Sequence, residues 1–318
     1  MKVVVTDMAF DAYEEEKTIL EENGIELIIT DNQSEDAIIE AAKDADGLLN
    51  ANVQITEKII ESLPNLKVIS RYGIGYDTID VKAATSNKIY VTNVPDYCVD
   101  EVSDHALTLI LTSCRKIVPM NDQLKKRNRL NAFDLAPIRR FNSQTVGLVS
   151  FGNIAKKLCK KLQSIGFNVI AYDPFCGIKE EKDYGIQLVP LEELLRNSDI
   201  ISIHSPLVKD TYHLIGEEAL KLVKKNLFIV NTSRGPVINE KALIKALQEK
   251  RIAGAALDVF EIEPIDPNNP LLNLDNVILT PHAAYYSDES CSELKSKAAK
   301  NIVNVLKGGV PEYWVNHF

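Results

Sequence analysis

Along the first hundred residues, short β-branched runs alternate with stretches whose apolar positions recur at helical spacing. The runs are KVVVTD, ELIIT, GLLN, VIS and YVTN; the helices between them include one ending near Asn23-Gly24 and one opened by Ser34. Strands separated by single helices pair in parallel, because each helix carries the chain back to the starting edge of the sheet. From Glu101 to about Arg127, Val102, Ala106, Leu109, Ile110 and Val118 keep a helical period that only Pro119 interrupts. This long helix is expected to lead into a second domain. A second alternation then supplies six strands, TVGLVS, FNVIAYD, IISIHS, LFIVNTS, AGAALDV and NVILTP, with helices opening at Asn153 and lying around 191–196, 217–225 and 240–250. The pattern predicts an α/β protein whose second domain is a complete doubly wound parallel sheet. The amphipathic stretch from about Ser290 to Leu306 comes too late for that sheet and is expected to return to the first domain. The domains are then 1–99 with 287–318, and 100–286, with hinges near Cys98–Glu101 and Ala284–Asp288.

Composition narrows the function. A chain of 318 residues with 45% apolar content can bury two cores. The formal charge of -9 comes without a basic block that could follow a phosphate backbone, so nucleic acid is not an expected partner. The apolar run at the N-terminus is too short for a secretion signal or a membrane span. Five cysteines without CxxC spacing point to neither a disulfide framework nor a metal site, and fit a reducing cytoplasm.

Candidate chemistry gathers at strand ends. Ser150 to Ala155 occupies the place of a G-x-G-x-x-G/A fingerprint at a strand-to-helix turn, with Gly152 for close backbone approach and Ser150 in place of the first glycine. A pyrophosphate is expected on the N–H groups that open the following helix, around Gly152, Asn153 and Ile154. Asp173 ends the next strand, where a carboxylate can accept both ribose hydroxyls of NAD and repel the 2'-phosphate of NADP. His204, Thr232 and Asp258 end later strands on the cofactor side, and Asp258 could accept the nicotinamide amide.

Arg234, Glu263 and His282 also follow successive strands, so one crevice at the carboxyl edge collects them. Reducing a ketone by hydride leaves an alkoxide that needs a proton, for which His282 is suited, and a carboxylate beside an imidazole favours its protonated form. Arg234 offers a planar cation to a substrate carboxylate, beside Gly235 in a turn open to close approach. In the first domain, Gly73, Ile74 and Gly75 form a tight loop whose N–H groups can grip that carboxylate from the side opposite Arg234. His105, His213 and His317 are expected to be surface or interface residues with satisfied hydrogen bonds.

With these residues placed, the chain resembles the D-isomer-specific 2-hydroxyacid dehydrogenases over nearly its whole length. The likeness is carried by RYGIGYDTID, NVPDYCVDEVSDHAL, SFGNIA, IHSPL, VNTSRGPVINEKAL, GAALDVFEIEP and TPHAAYYS. HAAYYS is similar to the branch containing the C-terminal binding proteins. The resemblance implies two Rossmann-like domains, the substrate domain being formed by the first and last segments, and a homodimer built through the cofactor domain. It implies Arg234, Glu263 and His282 as the catalytic set, Asp173 on the ribose, Asp258 on the nicotinamide amide and Cys98 beside the cofactor phosphates. Tyr285 stands where the C-terminal binding proteins carry Trp, and Asn153 where relatives often have Arg. The expected activity is NAD-dependent interconversion of a small 2-oxo acid, such as glyoxylate or hydroxypyruvate, and its D-2-hydroxy acid. A phosphoglycerate dehydrogenase and an NAD-sensing, corepressor-like binding module stay open beside it.

Overall fold

Each aliphatic run of the first alternation becomes a strand, and each amphipathic stretch between runs a helix. In chain order they are β1 (Lys2–Val5), α1 (Glu14–Glu21), β2 (Glu26–Ile29), α2 (Glu35–Ala42), β3 (Gly47–Asn50), α3 (Glu57–Ser62), β4 (Val68–Arg71), α4 (Val81–Ser86) and β5 (Tyr90–Thr92). Ser34, Thr56 and Asp80 each start the helix that follows by accepting one of its otherwise unpaired N–H groups. The strands pair in parallel in the order β2-β1-β3-β4-β5. All of β3 is buried, as a central parallel strand covered on both faces must be.

The chain continues through α5 (Val99–Arg115), α6 (Ile117–Arg127), β6 (Thr145–Val149), α7 (Asn153–Ser164), β7 (Asn168–Tyr172), α8 (Ile178–Tyr184), β8 (Gln187–Leu188), α9 (Leu191–Asn197) and β9 (Ile200–Ile203). It then forms α10 (Glu217–Leu222), β10 (Phe228–Asn231), α11 (Glu240–Gln248), β11 (Gly254–Leu257), β12 (Val277–Leu279) and α12 (Asp288–Leu306). The second sheet runs β12-β11-β10-β9-β6-β7-β8. Residues alternate between its faces: Ile201, Ile229 and Ala255 enter one core cluster, while Ile200, Val230 and Ala256 enter the other. Burying each large aliphatic side chain in these layers stabilises the fold by roughly 1.5–3 kcal/mol.

Two features differ from the sequence pattern. The sheet has seven strands rather than six, because Gln187–Leu188 pairs with β7; two residues are too short to show a period. The long helix breaks at Lys116, which adopts φ 54, and not at Pro119. Pro119 falls in the first turn of α6, where its missing N–H would have had no helical partner.

The computed structural model describes residues 1–31, 34–127 and 131–318. It divides into two compact units, Met1–Cys98 with Ser287–Phe318, and Val99–Tyr286. Within the first unit α12 is tied to the sheet: Ser70 donates to the Ala298 carbonyl at 3.0 Å and Asn301 to the Asn93 carbonyl at 3.3 Å. Among the described residues no helix is long and apolar enough to cross a membrane.

Candidate active site

Because every strand of the second sheet is parallel, all strand ends of one kind lie along one edge. Read across that edge in sheet order, the carboxyl ends carry His282 (after β12), Asp258 and Glu263 (β11), Thr232 and Arg234 (β10), His204 (β9), Ser150 and Gly152 (β6) and Asp173 (β7). The order reverses between β9 and β6, from which the chain winds outward in opposite directions, and ligands of open α/β sheets bind at such a switch point.

The turn after β6 is built for an anion. Gly152 caps α7 without a side-chain hydrogen bond, and a Cβ on it would meet nothing within 4 Å. Ser150 adopts φ 70, the left-handed conformation that favours glycine, held by its N–H to the Tyr172 carbonyl at 2.8 Å and by its hydroxyl against Ser205 Oγ at 2.7 Å. Asp173 accepts from the N–H groups of Phe151 and Phe175, both at 2.8 Å, so it orders this turn while each oxygen keeps a further lone pair. Thr232 Oγ1 is buried with no hydrogen-bond partner among the described residues. Bare helix-start amides, a carboxylate at the next strand end and an unsatisfied buried hydroxyl together fit a dinucleotide. His204 is hydrogen-bonded through Nε2 to Ser202 at 2.9 Å, and burial pushes its imidazole down to about 4, so it is neutral near pH 7.

At the other end of the edge, His282 Nδ1 lies 2.6 Å from Glu263 Oε2. Burial pushes the Glu263 carboxyl up, but the His282 hydrogen bond and charge, the Phe260 N–H and the Arg234 charge outweigh it and hold the group below its ordinary range. This contact turns the imidazole so that Nε2 is the nitrogen left for a substrate. Tyr285 stands edge-on to the His282 ring, with centroids 6.4 Å apart.

The loops carrying these groups are fastened to one another. A Cβ on Gly235, the residue after Arg234, would lie 1.8 Å from the Phe260 carbonyl oxygen, so only glycine allows the two loops to pack. The close approach expected at this turn is thus made by the chain's own backbone. His213 pairs with Glu261 through Nε2 and with Asn239 through Nδ1, bridging the same two loops; its partners make this partly exposed residue a loop clamp. Asp258 is wholly buried, accepting from Thr280 Oγ1 at 2.5 Å and from the N–H groups of Ala283 and Ala284 at 2.9 Å. Its first task in the structure is therefore to fold the segment around His282. Nothing in the residue pattern marked Thr280 or His213, since both partnerships join loops distant in sequence.

In the first unit, Gly73 adopts φ 143 and opens the loop predicted to bind a carboxylate. Tyr72 pins the loop's start, its hydroxyl donating to buried Glu16 at 2.8 Å, and Asn93 holds the Ile74 carbonyl at 2.8 Å. The N–H groups of Ile74 and Gly75 have no protein acceptor among the described residues. Cys98 ends this segment, buried.

A doubly wound sheet with an uncapped helix start at its switch point, and a His–Glu pair with an Arg on the adjoining strands, defines a dinucleotide-dependent oxidoreductase. Residues 107–284 match the family model described as D-isomer specific 2-hydroxyacid dehydrogenase, NAD binding domain. A glyoxylate reductase of Korarchaeum cryptofilum is 40% identical over 286 residues, covering 89% of this chain and 86% of that one. A D-3-phosphoglycerate dehydrogenase of Methanocaldococcus jannaschii is 38% identical over 322 residues, covering 99% of this chain and 59% of that one. The crystal structure of D-lactate dehydrogenase from Aquifex aeolicus, complexed with NAD and lactic acid, matches with a TM-score of 0.89 at 28% identity, covering 99% of both chains. The chain belongs to the D-isomer-specific 2-hydroxyacid dehydrogenases, as an NAD-dependent oxidoreductase that interconverts 2-oxo acids and D-2-hydroxy acids.

Proposed function

We propose that the chain reduces a short 2-oxo acid of the glyoxylate or hydroxypyruvate kind, with His282 as proton donor, Glu263 orienting it and Arg234 anchoring the substrate carboxylate. The contact that carries this reading is the 2.6 Å bond between His282 Nδ1 and Glu263. NADH, when bound, supplies the hydride. As the carbonyl carbon is reduced its oxygen takes on negative charge, and His282 Nε2 gives it the proton while Nδ1 keeps its own in the Glu263 bond. In the reverse direction neutral Nε2 takes the hydroxyl proton. The Arg234 fork meets a carboxylate through two parallel bonds, which a lysine cannot do. Ile74 and Gly75 N–H groups, in the loop begun by Gly73, are assigned to carboxylate binding, and Tyr285 to an aromatic wall.

For the cofactor we assign the pyrophosphate to the N–H groups of Gly152, Asn153 and Ile154 with Ser150 at the turn, and the adenosine ribose to Asp173. His204 and Thr232 are assigned to the nicotinamide end; Asp258 would serve the amide through Oδ2, which accepts one of the carboxylate's three hydrogen bonds among the described residues. Cys98 is assigned to the phosphates. Relatives named glyoxylate reductase support the short substrate. A homodimer through the second unit is supported by Ile117, Leu124 and Phe133, apolar yet exposed on α6 and the segment after it. Five free cysteines support a cytoplasmic location, and the acidic balance argues against a nucleic-acid partner.

The test is NADH oxidation against glyoxylate, hydroxypyruvate, pyruvate, longer 2-oxo acids and phosphohydroxypyruvate. We expect glyoxylate or hydroxypyruvate to give the highest kcat/KM, and His282→Ala to lower kcat by at least about 100-fold with NADH still bound. A preference for phosphohydroxypyruvate would overturn the substrate assignment, and a fully active His282→Ala the catalytic one.

A further inference from the structure

His105 stands on α5, far in sequence from Arg234, Glu263 and His282, with its side chain 25% exposed. Its Nε2 lies 3.0 Å from Thr280 Oγ1. That hydroxyl is 2.5 Å from Asp258 Oδ1, and a threonine hydroxyl has one proton. With Asp258 as a carboxylate the proton points to Oδ1, so Thr280 can only accept from His105, and Nε2 must carry a hydrogen. The same ring nitrogen is 3.6 Å from Asp258 Oδ1. The chain of contacts thus runs from α5 to the buried carboxylate that gathers the N–H groups of Ala283 and Ala284. Between Thr280 and Ala283 sits His282, whose own N–H donates to the Asp258 carbonyl at 2.8 Å.

His282 needs this support. It adopts φ 52, a conformation that costs a side-chain-bearing residue free energy and persists only where its surroundings fix it. The ring contact to Glu263 orients the imidazole but does not hold the backbone. We propose that His105 is a positioning residue for His282: by donating to Thr280 it orients the hydroxyl toward Asp258 and so fixes the loop from which the acid reaches substrate. This rests on the assignment of His282 as the proton donor.

The experiment compares His105→Leu, His105→Gln, Thr280→Val and the double variant His105→Leu/Thr280→Val in the full chain, with NADH and the best oxo acid of the panel. Gln places its amide nitrogen as many bonds from the backbone as imidazole Nε2. His105→Leu is expected to lower kcat about 10–100-fold, with KM and NADH affinity, read by fluorescence, within about threefold of the wild type. His105→Gln should recover most of the rate, and the double variant should be no slower than the worse single one. A kcat of His105→Leu within twofold of wild type overturns the inference, as does a Gln variant as slow as Leu or a loss that follows NADH affinity. Should His105→Leu not fold, Thr280→Val decides alone, a similar kcat loss supporting the inference and an unchanged kcat overturning it. His282→Ala separates the two levels. An active His282→Ala overturns the proton-donor reading itself, whereas an inactive one beside an unimpaired His105→Leu overturns only the role of His105.

Discussion

Ser150 is a serine doing a glycine's work. In the left-handed region an L residue is strained by about 1–2 kcal/mol, and here the hydroxyl bond to Ser205 offsets part of it. Ser150→Ala keeps the strain and loses the bond, so it should lower unfolding free energy by about 1 kcal/mol. Ser150→Gly should stay within about 0.5 kcal/mol, because relief of strain offsets the lost bond and glycine's extra chain entropy. Denaturant titration checks the order, and a glycine variant weaker than alanine would sink the account. His204 gives a pH prediction. Burial depresses its pKa from 6.5 to about 4, so below 6.5 the unfolded chain takes up a proton that the native protein refuses. The native state therefore loses stability as pH falls through that window, on the order of 2–3 kcal/mol by pH 4.5, and nothing above it. His204→Gln should flatten this limb of the stability curve; an unchanged difference between pH 7 and 4.5 would refute it. The residue types at both positions were plain in the sequence, but the strain of one and the burial of the other were not.

At the scale of elements, the reactive groups depend on how loops of neighbouring strands pack. β10 and β11 are adjacent in register, and the loops leaving them touch at Gly235 and Phe260. Gly235→Ala would drive a methyl into backbone that cannot swing aside, moving Arg234 relative to Glu263. We expect stability to fall by about 2–4 kcal/mol and kcat/KM by about 100-fold or more, measured by denaturation and steady-state kinetics. A variant with native kcat/KM would show that the two loops need not pack. Strands and helices were legible because their apolar periods are local. The helix break at Lys116 was not, since a proline within a helical run is the stronger sequence signal even where the first turn tolerates it.

For the whole molecule, cofactor binding and folding are linked. NADH at 100 times its Kd should raise unfolding free energy by about 2.7 kcal/mol, visible as a higher melting temperature. NADPH at equal concentration should give a clearly smaller shift, because its 2'-phosphate meets the Asp173 carboxylate at the end of β7. Equal shifts would remove Asp173 as the selecting group.

By itself the sequence determined the two parallel sheets, the return of the last helix, and the strand ends at which Asp173, Arg234, Glu263 and His282 emerge. Those features follow from local period and from the rule that parallel strands share one carboxyl edge. Only the tertiary structure decided which nitrogen of His282 faces Glu263, that Asp258 folds the loop around it, that His105 ties α5 to Thr280 and that His213 joins distant loops. Such contacts join residues from 19 to 175 positions apart in the chain, and no local pattern carries the distance between them.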